Sequence, residues 1–161
     1  MVLLKGFFTE RLNSLVAAEI NFFKDEFRFL SNFADVSVFL DEMQFPSVEH
    51  AYVAAKTLDM VLRHEIQICP NAGKVKRLGK KIAIRLDWDE IKVSVMKTLT
   101  RQKFNQEPFK SALLATGDAF IREGNTWGDV FWGQTVNKNG EWCGENNLGI
   151  ILMNLRDELR T

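Results

Sequence analysis

The sequence predicts a mainly α fold of the α+β class: one compact domain with a small β-hairpin toward its N-terminal side. Three observations carry this. From Ser47 onward apolar residues recur at helical spacing, most plainly at Leu148, Leu152, Leu155 and Leu159. Strand-like runs are concentrated after Ile20, where Val36–Leu40 and Met43–Phe45 flank Asp41-Glu42. The chain has 161 residues, 46% of them apolar and 13 of them Phe, which suits one domain with a real core.

Each element follows in turn. Residues 1–19 read as an N-terminal extension, with a helix through Phe8, Leu12, Leu15 and Val16, and residues 20–161 as the domain. Asp41-Glu42 closes the hairpin, although this dipeptide is a mediocre turn pair. Ser47 is a natural N-cap for a helix running to about Asp59. Short helices follow over Val61–Ile68 and Ala72–Lys80. Asp87-Trp88-Asp89-Glu90 has the form of a capping box, with Asp87 the cap and Glu90 reaching back. Its helix carries Ile91, Val95 and Leu99 and ends near Phe104. Pro108 opens the next helix, which closes at Gly117. Ala119–Glu123 reads as a short strand, and the last helix starts near Asn146, a good cap.

Composition narrows the function. Twenty-one basic residues balance 21 acidic ones, so no global attraction to nucleic acid or anionic membrane is indicated, although a local basic patch is compatible with neutrality. Cys69 and Cys143 form no disulfide framework, which suits a reducing cytosol. The apolar start, Met1–Phe8, is short and lacks a small-residue cleavage site, and no run approaches the roughly 20 apolar residues of a membrane helix. A cytoplasmic protein with no membrane partner is expected.

The most unusual segment is Gly124-Asn-Thr-Trp-Gly-Asp-Val-Phe-Trp-Gly133. An acid, Asp129, stands between Trp127 and Trp132, and glycines let backbone approach closely; the mix suits a pocket for a flat, polar ligand. Glu123 adds a second carboxylate, and paired acids beside aromatics are the working parts of glycosidic cleavage. On the Ser47 helix, Glu49, Tyr52, Val53 and Lys56 share a face. Glu49 and Lys56 lie two turns apart, roughly 10 Å along the axis, and so bracket a ligand; the alternative is a solvated helix face. His50 reads as a packing or hydrogen-bonding residue rather than a ligand, and His64 as a surface residue. Two histidines and two cysteines without metal-like spacing argue against zinc. Arg28 and Asn32 are polar groups inside the apolar run Arg28–Phe33, suited to phosphate and to carbonyl or hydroxyl groups; the run is otherwise core. Lys74, Lys76, Arg77, Lys80 and Lys81 form either a solvated face or an anion site, and Trp88 either packs in its turn or walls a pocket.

These pieces recur in a definite order. Leu30-Ser31-Asn32-Phe33 is followed by Ser47-Val48-Glu49-His50-Ala51-Tyr52 with Lys56, then Asp87-Trp88, Val95-Met96 and Lys103-Phe104. Leu113-Leu114-x-Thr116-Gly117 leads to Glu123 and to Trp127-x-Asp129-x-x-Trp132-Gly133. Gly144-x-Asn146-x-Leu148-Gly149 and Leu152-Met153-x-x-Arg156 complete the set. The ordered set resembles the NADAR, or YbiA-like, family from about Ile20 to the C-terminus. It departs from the family where Gln134-Thr135 follows Gly133, since many relatives place another glycine there.

The resemblance implies a mainly helical fold with a little β structure, and N-glycosidase chemistry without metal or redox cofactor. The substrate it implies is a phosphorylated riboside, such as a ribosylamino-pyrimidine intermediate of riboflavin synthesis, or an ADP-ribose compound of the ADP-ribosyl-guanine type; ADP-ribosylated nucleic acid is a further partner class it admits. The family's important positions fall on Glu49, Trp88, Asp129 and Trp132, and Lys56, Glu123, Asn125 and Asn146 match motif positions. Either Glu49 or Asp129 would stabilise a ribosyl cation or activate water. Trp88 and Trp132 would stack on base or ribose, and Lys56 would hold a phosphate or hydroxyl, or attack the sugar aldehyde if burial lowers its pKa. Arg28, Lys76 and Arg77 are the phosphate candidates, and Asn32, Tyr52, Glu123, Asn125, Trp127 and Asn146 complete the substrate contacts. Two other classes use the same residues: a module that senses ADP-ribose without cleaving it, and an interaction protein anchored by exposed tryptophans.

Overall fold

In the computed structural model, residues 18–161 are described; the helix expected through Phe8, Leu12, Leu15 and Val16 lies outside them. In chain order they form β1 (Glu19–Ile20), a 3-10 helix (Asp25–Leu30), β2 (Val38–Leu40), β3 (Met43–Phe45), α1 (Val48–Ala55), α2 (Met60–Gln67), α3 (Ala72–Gly79), α4 (Trp88–Phe104), α5 (Phe109–Ala115), β4 (Phe120–Ile121), β5 (Thr135–Val136), β6 (Trp142–Cys143) and α6 (Asn147–Leu159). This is the mainly helical α+β fold expected. The chain divides into two compact units, Arg28–Lys110 and the described residues 18–27 with Ser111–Thr161.

In the Arg28–Lys110 unit, α1 is the central element. Seven of its eight residues are buried, and it packs on α2, α3, α4 and both hairpin strands. Small side chains at Ala51, Ala54 and Ala55 allow that many neighbours. Gly79 of α3 lies where an added Cβ would stand 2.9 Å from Val53, so glycine sets how closely these two helices approach. Ser47 caps α1 as expected: extended at φ −161°, its hydroxyl accepts the His50 N–H at 3.1 Å. The helix stops at Ala55 rather than near Asp59, because Asp59 starts α2, its carboxylate accepting the N–H groups of Val61 and Leu62.

The hairpin pairs Val38 with Phe45 and Leu40 with Met43. Both turn residues have positive φ, Asp41 at 46° and Glu42 at 67°, which is the twist a two-residue hairpin demands. Asp41 is compensated by a 2.7 Å ion pair with Arg63, whose side chain is buried. The capping box expected at Asp87 does not form. Asp87 has φ −88° and ψ 11°, and its carboxylate is taken by Arg85 at 2.6 and 2.8 Å. Asp87, Asp89 and Glu90 still place negative charge at the positive end of α4. Met96, Leu99, Thr100, Lys103 and Phe104 make its buried stripe, whereas Ile91 and Val95 are only half-buried.

In the other unit, β1 and β4 pair in parallel, Ile20 opposite Ile121. Leu148, Leu152 and Leu155 of α6 are buried as expected and Leu159 is half-buried. Arg156 reaches back at 2.9 Å to Thr116 Oγ1 and the Ala119 carbonyl, tying the end of α5 to the start of β4. Gly117, at φ 57°, terminates α5 as its position suggests. The helix itself starts at Phe109, one residue after Pro108. Within Gln134–Cys143, β5 and β6 form a hairpin, its turn organised by Asn137 Oδ1 accepting from the Asn139 and Glu141 amides. Among the described residues no helix is long and apolar enough to cross a membrane.

Candidate active site

Five of the anticipated residues gather along α1. The rings of Tyr52 and Trp88 meet edge-on, centroids 5.1 Å apart. Both are 7% exposed, so each presents only an edge. The Lys56 ammonium lies 5.4 Å from the Tyr52 ring centroid and 6.0 Å from that of Trp88. Burial holds the Lys56 amine below the ordinary lysine range; the Glu49 carboxylate opposes this and the Lys76 ammonium adds to it. Lys76 in turn lies 5.8 Å from the centroid of Phe33. The face-sharing argument thus holds in space, with aromatic rings, a carboxylate and two amines in one neighbourhood.

Glu49 stands in the first turn of α1, where the helix dipole favours its charge. Its N–H donates to the Asn32 carbonyl at 3.0 Å. Asn32 is buried, and its amide nitrogen faces Met96 Sδ at 3.5 Å. His50, beside Glu49, has both ring nitrogens engaged: Nδ1 with Ser47 Oγ at 2.6 Å and Nε2 with the Cys69 carbonyl at 3.0 Å. A carbonyl only accepts, so Nε2 carries the proton and Nδ1 accepts from the serine hydroxyl. Of the two expected roles, packing or hydrogen bonding, His50 takes the second. No contact of Arg28 or Arg77 with this group is seen among the described residues. Arg28 is exposed, and Arg77 lines a separate cleft of about 440 Å³ with Lys74, Leu78, Lys80 and Lys81.

The second group belongs to the other unit and is built on a closed turn. Asn125 and Gln134 are joined by an amide-to-carbonyl bond of 2.9 Å, and Gln134 donates to Glu123 at 2.9 Å. Between them the chain makes the turn that holds Asp129. Asp129 Oδ1 accepts the N–H groups of Phe131 and Trp132 at 3.1 and 2.9 Å. Asn125 braces the turn from inside, donating to the Asp129 carbonyl at 2.7 Å and accepting from its N–H at 3.0 Å. Gly133 has backbone on its side-chain face: a Cβ there would run into the Glu123 carbonyl. The Trp132 ring meets Phe131 edge-on at 4.9 Å, and Trp127 is 62% exposed.

Asn146 occupies the cap position of α6 in the left-handed conformation, φ 56°, but its side chain makes no cap bond. The turn does that work instead: the Asn147 and Leu148 amides donate to the Phe131 and Trp132 carbonyls at 3.2 and 3.0 Å. Asn146 is thereby released to accept from the Glu123 N–H at 3.0 Å and donate to the Ile121 carbonyl at 2.9 Å. Asn125 and Asn146 spend their amides on backbone, and so act as struts of the acid- and tryptophan-bearing turn.

The sequence gives no role to one residue of the motif pair Lys103-Phe104. Lys103 is fully buried on α4, its Nζ 2.7 Å from the Ser31 carbonyl. The signal was available: Lys103 lies four residues after Leu99 and seven after Met96, on the stripe that faces inward.

A sequence profile of the NADAR domain matches residues 20–160. The chain belongs to the NADAR family. Among NADAR relatives, the N-glycosidase YbiA of Escherichia coli (strain K12) is 34% identical over 145 residues, covering 87% of this chain and 88% of that protein. The N-glycosidase Npun_R5314 of Nostoc punctiforme is 32% identical over 136 residues, covering 81% and 84%. A riboflavin biosynthesis protein of Vibrio vulnificus is 38% identical over 135 residues, but this chain spans only 35% of its length. The NMR structure of E. coli YbiA superimposes with a TM-score of 0.73 at 34% identity, covering 88% of this chain and 84% of that one.

Proposed function

We propose that this protein is a hydrolase of N-glycosyl bonds whose substrate carries a phosphorylated ribosyl group on an amine, of the ribosylamino-pyrimidine or ADP-ribosyl-guanine type. The observation that carries the reading is Lys56: a half-buried amine held below the ordinary lysine range, set against Tyr52 and Trp88 and within the field of Glu49. Relatives named N-glycosidases support the reaction class.

An amine whose proton is held less firmly is more readily made a nucleophile, and an N-ribosylamine opens to a form with an electrophilic C1. In the proposed sequence the Lys56 nitrogen bonds to C1, the C1–nitrogen bond to the base breaks, and the Glu49 carboxylate carries the protons given up by the Lys56 nitrogen to the departing base. Water then adds to C1 of the lysine imine, Glu49 taking its proton, and the sugar aldehyde and free amine separate. One water is consumed and one free base released. Trp88 and Tyr52 keep the amine out of bulk water. Lys76 answers the phosphate charge, and in the other unit Asp129 and Trp132 are the carboxylate and the indole that the family resemblance assigns to the reaction.

The test is product formation. Incubation with a phosphorylated ribosylamino-pyrimidine, and separately with an ADP-ribosylated guanine oligonucleotide, is expected to release free base and sugar phosphate. Borohydride added during turnover should fix the sugar to Lys56. Tight binding with no base released, and no effect of Glu49→Gln or Lys56→Met, would make the protein a sensor and end the reading.

A further inference from the structure

Lys103 is 0% exposed, and burial alone brings its amine down to about 7. Taking an ammonium out of water costs several kcal/mol, and among the described residues no carboxylate compensates it. Its neighbours are the Phe104 and Phe109 rings, at 4.9 and 5.1 Å from Nζ, and the Ser31 carbonyl. A methionine would occupy the same slot without that cost. A lysine here is therefore poorly explained by stability.

What the lysine holds is more telling. Ser31, Asn32 and Phe33 follow directly on the 3-10 helix that ends at Leu30. The Ser31 hydroxyl accepts the Phe33 N–H at 3.1 Å, the Asn32 carbonyl accepts the Glu49 N–H at 3.0 Å, and the Phe33 ring stands 5.8 Å from Lys76 Nζ. One short segment thus touches both the start of α1 at Glu49 and the cation beside Lys56. Lys103 is its anchor on α4.

We infer that Lys103 is a positioning residue: by fixing the Ser31 carbonyl from α4 it holds the segment Ser31–Phe33, and through the Asn32 carbonyl it sets where Glu49 stands. The inference rests on the proposed glycosidase reading for its kinetic consequence, and on geometry alone for its structural one.

Lys103→Met tests both. The expected variant is folded, with a Tm equal to or above that of the unsubstituted protein. Its kcat falls tenfold or more, a larger change than in KM, since the displaced carboxylate acts in the chemical steps. Hydrogen exchange at the Glu49 amide speeds up at least tenfold, with amides in the second turn of α1 unchanged. A variant that unfolds, keeps its kcat within twofold, or shows unchanged Glu49 exchange overturns the inference. Glu49→Gln, assayed alongside, separates the two readings. If it is inactive while Lys103→Met is fully active, only the positioning role fails. If it is fully active, the role given to Glu49 in the reaction fails.

Discussion

The Tyr52 and Trp88 rings meet edge-on at 5.1 Å, and the amine of Lys56 lies against both. Tyr52 stands one helical turn before Lys56, and Trp88 opens a different helix. This arrangement desolvates the amine from two directions and explains why its proton is held less firmly than in free lysine.

The titration of Lys56 should report its neighbours by sign. Followed by NMR at its side-chain carbon, the midpoint should fall below 10.5. Lys76→Met removes a repelling cation and should raise the midpoint. Glu49→Gln removes an attracting anion and should lower it. A midpoint indifferent to both substitutions would show that neither group faces the amine.

Stability should carry the mark of Lys103. Its folded value of about 7 lies below the ordinary 10.5, so between those limits the unfolded chain binds more protons than the folded one. Stability from this group therefore rises with pH across that window and is lowest below about 7. The difference between the unsubstituted protein and Lys103→Met in urea unfolding should change over pH 7–10 accordingly. A pH-independent difference contradicts the burial argument.

Ser47 serves α1 twice, as acceptor for the His50 N–H and as donor to the His50 ring. Ser47→Ala should cost about 2 kcal/mol, a cap of about 1 kcal/mol plus a buried ring nitrogen left without a donor. Chemical unfolding measures it; a loss under about 0.5 kcal/mol contradicts the double role.

Asp129 can be separated into scaffold and charge. Asn keeps the oxygen that accepts from the Phe131 and Trp132 amides, whereas Ala does not. Asp129→Asn should hold Tm within a few degrees yet lose turnover, and Asp129→Ala should lose about 1 kcal/mol of stability as well. Equal activity in Asp129→Asn and the unsubstituted enzyme removes the carboxylate from the mechanism.

Glu42 sits at φ 67° without a glycine's freedom. Glu42→Gly should stabilise the hairpin by about 1 kcal/mol, because the left-handed conformation is strained for a residue with a Cβ. Denaturant midpoints decide it; a destabilised variant would mean that the glutamate side chain outweighs the strain.

Much of this arrangement was legible in advance. The Ser47 cap, the hairpin around Asp41-Glu42 and the α6 seam follow from local rules of spacing and capping, and all three form. The Asp87 box failed because a capping motif is a local pattern, and Arg85, two residues away, competes for the same carboxylate with two charge-assisted bonds. Asn146 failed as a cap for a tertiary reason: carbonyls from Phe131 and Trp132 reach the helix amides first. Lys56 and Glu49 could be placed on one face by counting. That Lys76 would join them while Arg77 turned to another cleft depends on how α3 packs, which no short window of sequence specifies.

The parallel pairing of β1 with β4 has a consequence for the order of assembly. It joins residues on opposite sides of an uninterrupted unit running from Arg28 to Lys110. During synthesis on the ribosome that contiguous stretch has all its partners as soon as it emerges, while β1 must wait for Phe120 and Ile121 to leave the exit tunnel. The lysine-bearing helix and its aromatic neighbours can thus mature first, and the acidic, tryptophan-rich turn is the part of the molecule completed last.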